Sequence, residues 1–179
     1  MISETYRELN KRLHADEPHF GNGATSKTWF GQVEAIANSV KAQSILDYGC
    51  GKGALGAALP HLMIDGYDPA VPGRDEPPAP VDLVISLDVL EHVEPEFVDA
   101  VLDDLKRCAV KGVFLVISTR PAGKTLADGR NAHLSVHPPE WWVPKLMGRW
   151  KMMMFSARHD EFAFFGVARV AAQEERAAA

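Results

Sequence analysis

The stretch Ile45-Leu46-Asp47-Tyr48-Gly49-Cys50-Gly51-Lys52-Gly53 decides the fold of this 179-residue chain. Residues 44–48 are predicted to form a short buried strand, and residues 54–59 a helix rich in small side chains. The three glycines fill the turn between them, since glycine permits positive φ and a close approach of backbone to a ligand. The N–H groups at the start of the helix can then bind a carboxylate or phosphate. The stretch therefore predicts a strand–turn–helix unit that binds an anionic or nucleotide-like ligand.

Two acids strengthen the nucleotide interpretation. Asp47 lies two positions before the first glycine, and Asp68 follows the next predicted strand, at residues 62–67. In doubly wound folds an acid at that second position accepts hydrogen bonds from ribose hydroxyls. Asp68 also precedes Pro69, so a plain turn residue is the alternative. The spacing G-x-G-x-G departs from the dinucleotide fingerprint, whose third glycine would fall at Ala54, so a nicotinamide ligand is weakly supported but stays open.

Further elements alternate along the chain. Helices are predicted over 3–14, at about 29–40, over 95–109 and from Pro139 or Glu140, and apolar strands over 81–86 and 113–118. Two last strands, at about 150–158 and 161–170, are joined across two residues and form a hairpin. Alternation of strands and helices predicts an α/β fold, a Rossmann-like doubly wound sheet that is mostly parallel. The hairpin adds antiparallel strands at its C-terminal end.

From about residue 44 to 170 the chain resembles the class I S-adenosylmethionine-dependent methyltransferases. The glycine stretch is similar to their first motif, and Gly66-Tyr67-Asp68-Pro69 to their second, acidic motif. Asp82-Leu83-Val84-Ile85-Ser86-Leu87-Asp88-Val89-Leu90-Glu91-His92-Val93 resembles their fourth, a strand followed by a D-x-L-E-H-V turn. The three motifs together are specific, whereas each alone is not.

The resemblance implies S-adenosyl-L-methionine as the cofactor and gives roles to matching positions. Asp47 and the glycine loop would hold its methionine part, Asp68 its ribose, and the turn after the fourth strand would line it near the methyl group. His92 either faces this pocket or packs within the turn. The implied cofactor-binding residues are Asp47, Gly49, Cys50, Gly51, Gly53, Asp68, Leu87, Asp88 and His92.

Residues 69–80 depart from the family pattern. The family places a helix, a strand and another helix there, but only 12 residues are present and five are prolines. Proline fits neither a helix interior nor a central strand. We therefore expect the third strand to be missing and the six strands to follow the order 2-1-4-5-7-6 in the family's numbering. The acid that contacts adenine normally follows the lost strand, and Asp75 or Glu76 is the candidate replacement.

The loop at 119–137 is the predicted wall of the acceptor site. Arg120 leaves the end of a strand, where reacting groups gather in such sheets, and His133 can take up a proton near neutral pH as a general base. These two are the candidate catalytic residues. The loop also carries other polar residues, some of which are expected to be ordinary surface: Thr119, Lys124, Arg130, Asn131 and His137.

Composition bounds the remaining possibilities. The net charge of −5 and the 46% hydrophobic content predict one globular domain over 1–179, with a helical lid or cap at 1–43, a core at 44–170 and a frayed tail at 171–179. Two cysteines without C-x-x-C spacing give no zinc pattern, and no metal ligands are predicted. No signal peptide or membrane-spanning run is recognisable, so a cytoplasmic enzyme without a membrane partner is expected. The oligomeric state is left open.

The resemblance implies methyl transfer, and O- or N-methylation of a small molecule is the leading expectation. Nucleic acid or a modified nucleotide stays open as the acceptor, because basic residues cluster at 120–130. The alternatives from other classes are a non-catalytic module that binds S-adenosylmethionine and a nicotinamide-dependent reductase.

Overall fold

One six-stranded mixed sheet organises the protein, with the order β2-β1-β3-β4-β6-β5. A computed structural model describes residues 2–17, 19–23 and 26–169. The strands are β1 (Ile45–Tyr48), β2 (Ile64–Tyr67), β3 (Val81–Leu87), β4 (Ala109–Ser118), β5 (Lys151–Ala157) and β6 (Glu161–Val167).

The strand pairing confirms the predicted topology. Strands β2, β1, β3 and β4 are parallel neighbours, β6 runs antiparallel to β4, and β5 runs antiparallel to β6. Residues 69–80 form turns and bends without a helix or strand, so β3 pairs directly with β1. The missing third strand and the order 2-1-4-5-7-6 are therefore confirmed.

Five α-helices are described, and all but the first cover the two faces of the sheet. They are α1 (Glu4–Asp16), α2 (Phe30–Ser39), α3 (Ala54–Ala58), α4 (Val98–Cys108) and α5 (Pro139–Arg149). Leu46 and Leu115 point to the face that packs α4 and α5, whereas their neighbours Ile45 and Phe114 point to the face that packs α2 and α3. This alternation along central strands is what a sheet buried on both faces requires.

The first helix packs elsewhere. Tyr6 and Leu13 of α1 form a separate apolar cluster with Leu126 and Ala132 of the long loop after β4. Helix α1 therefore lies against the predicted acceptor loop and not on a face of the sheet.

Several boundaries differ from the sequence prediction. Strand β4 begins at Ala109, four residues early, because it continues directly from the end of α4. The hairpin strands are shorter than predicted, and the frayed tail predicted over 171–179 lies outside the described residues. None of the described helices has both the length and the apolar character that a membrane span requires.

Candidate functional site

A cavity of about 930 Å³ opens at the carboxyl ends of the parallel strands. The glycine loop and Asp68 form one side of it, and the turn at 87–93 forms its floor. The loop after β4 and the N-terminal segment close the other sides. This is where ligands bind in open α/β sheets.

Contacts within the protein, and not only a ligand, require glycine at positions in this loop. Gly49 has φ +83°, and a Cβ there would lie 2.4 Å from a methyl group of Val89. Gly51 has φ +49°, and a Cβ there would lie 2.6 Å from the carbonyl oxygen of Gly21. Gly53 also has a positive φ, of +79°. The loop is thus pressed between the turn after β3 and the N-terminal segment.

The N-terminal segment bridges the two sides of the cavity. The backbone N–H of Lys52 donates to Gly21 O over 2.8 Å, which joins the segment to the glycine loop. Glu17 forms an ion pair with Lys124 of the loop after β4. At its start, the Ser3 hydroxyl donates to Glu94 over 2.7 Å. The described part of residues 1–43 therefore sits closed over the cavity, and its action as a lid stays a prediction.

Asp47 and Asp68 lie side by side under the glycine loop, and both are buried. Burial first and the neighbouring charge of Asp68 second raise the pKa of Asp47 to about 7, and Arg74 opposes both effects. The Asp68 carboxylate accepts hydrogen bonds from the N–H groups of Gly51 at 3.0 Å and Ala70 at 2.9 Å. Asp68 therefore serves as a turn residue and faces the cavity as well, so the two readings of this acid do not exclude each other.

Arg74 contacts the glycine loop, although no role for it is predicted from the sequence. It comes from the proline-rich segment, and its Nη1 atom donates to the sulfur of Cys50 over 3.4 Å. The guanidinium lies where a Cβ at Gly53 or Gly66 would stand. Cys50 lines the cavity as a thiol, since burial raises its pKa to about 11. The only sequence signal for Arg74 is that it is the sole base within 69–80.

The proposed replacements for the adenine-binding acid lie apart from this site. Asp75 and Glu76 are both exposed, and neither lines the cavity. Asp75 instead accepts a hydrogen bond from the N–H of Gly73 at 3.0 Å.

The turn after β3 brings its predicted residues to the cavity wall. Leu87, Asp88 and His92 all line it. Asp88 has φ +56°, a strained conformation for a residue other than glycine and one that concentrates at functional sites. His92 also packs within the fold: its Nδ1 donates to Ala132 O over 2.8 Å. Burial, followed by the nearby His133, lowers the pKa of His92 to about 3, so its ring is neutral.

Glu91 is the second residue that sequence reasoning left without a role. It is fully buried beside the cavity, and neither carboxylate oxygen has a hydrogen-bond partner among the described residues. Burial and the charge of Asp88 raise its pKa well above the ordinary value. Glu91, His92 and His133 each bring a potential ligand atom within 4.8 Å of the other two, although no metal spacing was visible in the sequence.

The two candidate catalytic residues meet in the structure. His133 Nδ1 donates to the backbone carbonyl of Arg120 over 2.6 Å, and both residues line the cavity. This bond leaves Nε2 as the proton-accepting nitrogen of the neutral ring. Burial lowers the pKa of His133. The guanidinium of Arg120 lies 3.6 Å from Asp160 and is about half exposed.

The rest of the loop at 119–137 divides into two groups. Lys124 lines the cavity, whereas Thr119, Arg130, Asn131 and His137 do not. His137 stacks on Trp141 with ring centroids 3.9 Å apart. The side-chain oxygen of Asn131 accepts from the N–H groups of Ala122 and His133, which shapes the loop around the candidate base.

Comparisons with known proteins agree with this geometry. Residues 23–162 match a family model described as "Methyltransferase domain". No curated protein matches the sequence.

Solved structures give the same fold. The magnesium protoporphyrin IX methyltransferase of Synechocystis PCC 6803, solved with bound S-adenosylhomocysteine, has a TM-score of 0.63 at 19% identity, over 83% of this chain and 84% of that one. An N-methyltransferase of Bradyrhizobium japonicum, in complex with S-adenosyl-L-homocysteine, has a TM-score of 0.63 at 17% identity, over 94% and 100%. The 1,6-didemethyltoxoflavin-N1-methyltransferase of Burkholderia thailandensis has a TM-score of 0.67 at 13% identity, over 95% of this chain and 92% of that one. At these identities the likeness concerns the fold alone.

Proposed function

The chain belongs to the class I S-adenosylmethionine-dependent methyltransferases, and on that premise we propose that it methylates an oxygen or nitrogen atom of a small molecule. One observation carries the proposal. A single cavity is lined on one side by the family's cofactor motifs and on the other by Arg120 and His133. Family membership also removes the ground for a nicotinamide-dependent reductase.

The residues present fit the cofactor. Two adjacent buried acids with a raised pKa at Asp47 favour a nearby cation, and S-adenosylmethionine carries an ammonium and a sulfonium. Asp68 retains lone pairs beyond its two backbone bonds and suits the ribose. The glycine loop, Cys50, Leu87 and Asp88 would complete the site. When bound, the cofactor supplies an activated methyl group.

A small acceptor is supported by the electrostatics of the cavity mouth. The basic side chains at 120–130 that kept nucleic acid open are paired with acids: Lys124 with Glu17, Arg120 with Asp160 and Arg130 with Asp128. Arg158, which also lines the cavity, is paired with Glu161. Cations already paired within the protein offer little free charge for a phosphate backbone. The closed N-terminal segment further limits the size of the acceptor.

His133 acts as the proton acceptor in this proposal. Its Nδ1–H donates to Arg120 O, and this bond fixes the orientation of the ring. Nε2 is then the nitrogen that takes a proton from a hydroxyl or amine of the methyl acceptor. The lowered pKa keeps the ring neutral, and therefore competent as a base, at pH 7. The ring of His92 packs edge to face against His133, with centroids 4.6 Å apart, and Phe20 packs in the same way against His92.

The test uses His133→Gln, with His61→Gln as the matched control because His61 is exposed and pairs with Glu34 outside the cavity. We first expect S-adenosylhomocysteine, but not NADH, to raise the melting temperature of the wild type. A panel of hydroxylated and amino metabolites then identifies the acceptor by methyl transfer.

With that acceptor, we expect His133→Gln to lower kcat by 10²-fold or more and to leave S-adenosylhomocysteine affinity within about twofold. Unchanged turnover across pH would remove His133 as the base. Cofactor binding without turnover on any acceptor would favour the non-catalytic module, and turnover on an oligonucleotide alone would favour the nucleic-acid alternative.

A further inference from the structure

We propose that His14, in the last turn of α1, is part of the cofactor site and holds one ribose hydroxyl together with Asp68. The inference rests on the proposed cofactor, and it gives the N-terminal helix a direct role in binding. Both residues line the same cavity, although they are far apart in sequence.

The separation of the two side chains is the first argument. His14 Nε2 lies 4.0 Å from Asp68 Oδ2, which is too long for a hydrogen bond. A hydroxyl oxygen that sits to one side of the line joining them can lie about 2.8 Å from each atom, with an angle of about 90° at the oxygen. The separation therefore admits one bridging hydroxyl.

The donors and acceptors that face each other across the gap also balance. Asp68 Oδ2 already accepts the Gly51 N–H at 3.0 Å and keeps a second lone pair. A hydroxyl can donate to that lone pair while it accepts from Nε2–H of a neutral imidazole. In that tautomer Nδ1 carries the lone pair, and this buried nitrogen has no hydrogen-bond partner among the described residues.

Packing holds the His14 ring in place. Phe20 contacts it edge to face, with ring centroids 4.7 Å apart. The backbone of Gly21 passes directly over the ring, since a Cβ there would lie 2.5 Å from His14 Cε1. Gly21 O in turn accepts the N–H of Lys52 at 2.8 Å. The imidazole is thereby fixed relative to the glycine loop, as a binding residue requires.

The test is calorimetric titration of S-adenosylhomocysteine and of its 2′-deoxy and 3′-deoxy ribose analogues. The variants are His14→Ala and His14→Phe, and the phenylalanine keeps the ring packing against Phe20. His61→Ala is the control. We expect both His14 variants to bind S-adenosylhomocysteine about five- to tenfold more weakly than the wild type, as for one lost hydrogen bond.

The deoxy analogues separate binding from structure. For the analogue that lacks the hydroxyl held by His14, the wild type should bind more weakly than it binds S-adenosylhomocysteine. The His14 variants should bind this analogue as tightly as the wild type does, because the hydroxyl that His14 holds is already absent. Equal weakening for all three ligands, or no change at all, overturns the inference. If the wild type fails to bind S-adenosylhomocysteine, the proposed cofactor falls and the inference falls with it; binding indifferent to His14 removes the inference alone.

Discussion

Asp47→Asn should stabilise the ligand-free protein and weaken cofactor binding. The Asp47 carboxyl is buried beside Asp68, and the pKa of Asp47 is raised from 3.8 to about 7 by burial first and by the Asp68 charge second. Asparagine has nearly the same shape and never ionises. The substitution therefore removes a charge that the empty site holds at a cost.

The size of the effect follows from the shift in pKa. Each pKa unit corresponds to about 1.4 kcal/mol, so ionising Asp47 inside the fold costs up to about 4 kcal/mol. Because the pKa of Asp47 is raised in the fold, its protonated form favours the folded state. This contribution to stability is complete below pH 3.8, falls as pH rises and is lost above about pH 7. The advantage of the asparagine variant should accordingly be small near pH 4, grow up to pH 7 and level off above it.

Urea unfolding of both proteins at several pH values between 5 and 8.5 measures this difference. Asp65→Asn is the control, because Asp65 lies exposed on the neighbouring strand. Titration with S-adenosylhomocysteine should show weaker binding to the Asp47→Asn variant. A variant that is less stable than the wild type at pH 8, or more stable by a constant amount at every pH, would refute the electrostatic reasoning.

Two further predictions concern the glycine loop and the cluster around His133. Gly49→Ala should destabilise the fold by more than about 1 kcal/mol and abolish S-adenosylhomocysteine binding, because its Cβ would strike Val89 at a positive φ; Gly31→Ala, which meets no atom within 4 Å, is the control in thermal unfolding. Prolonged treatment with EDTA should leave methyl transfer unchanged if His133 is the base. Loss of turnover on chelation, restored by a divalent cation, would instead assign Glu91, His92 and His133 to a metal site.

Local patterns explain how far the sequence could be read. The short apolar runs predicted the strands and the prolines at 69–80 the missing third strand, because both signals act within a few residues, whereas the order of the sheet came from the resemblance to the family. The family motifs are also local in sequence, and they placed Asp47, Asp68 and the turn at 87–92 on one cavity. The roles of these residues toward the cofactor still await the binding experiments.

The residues for which the sequence predicted no role reach the site through contacts between segments that are distant in sequence. His14 and Gly21 reach the cavity because Tyr6 and Leu13 pack on the loop after β4, and no periodicity in α1 indicates that partner. Arg74 reaches Cys50 because the shortened segment folds back over the glycine loop. Glu91 stood inside a recognised motif, but only the structure reveals that its carboxylate is wholly buried.

The backbone contact between Gly21 and Gly51 restricts how the chain can change over evolution. A side chain at Gly51 would collide with the backbone of Gly21, and one at Gly21 would collide with the His14 ring and lie tightly, at 3.3 Å, against Gly51 Cα. A substitution at one position cannot be compensated by a change at the other, because backbone atoms of Gly21 block a side chain at Gly51. We expect an N-terminal segment transplanted from another methyltransferase to dock here only if it brings a glycine to this crossing, so that the segment and the loop must be exchanged together.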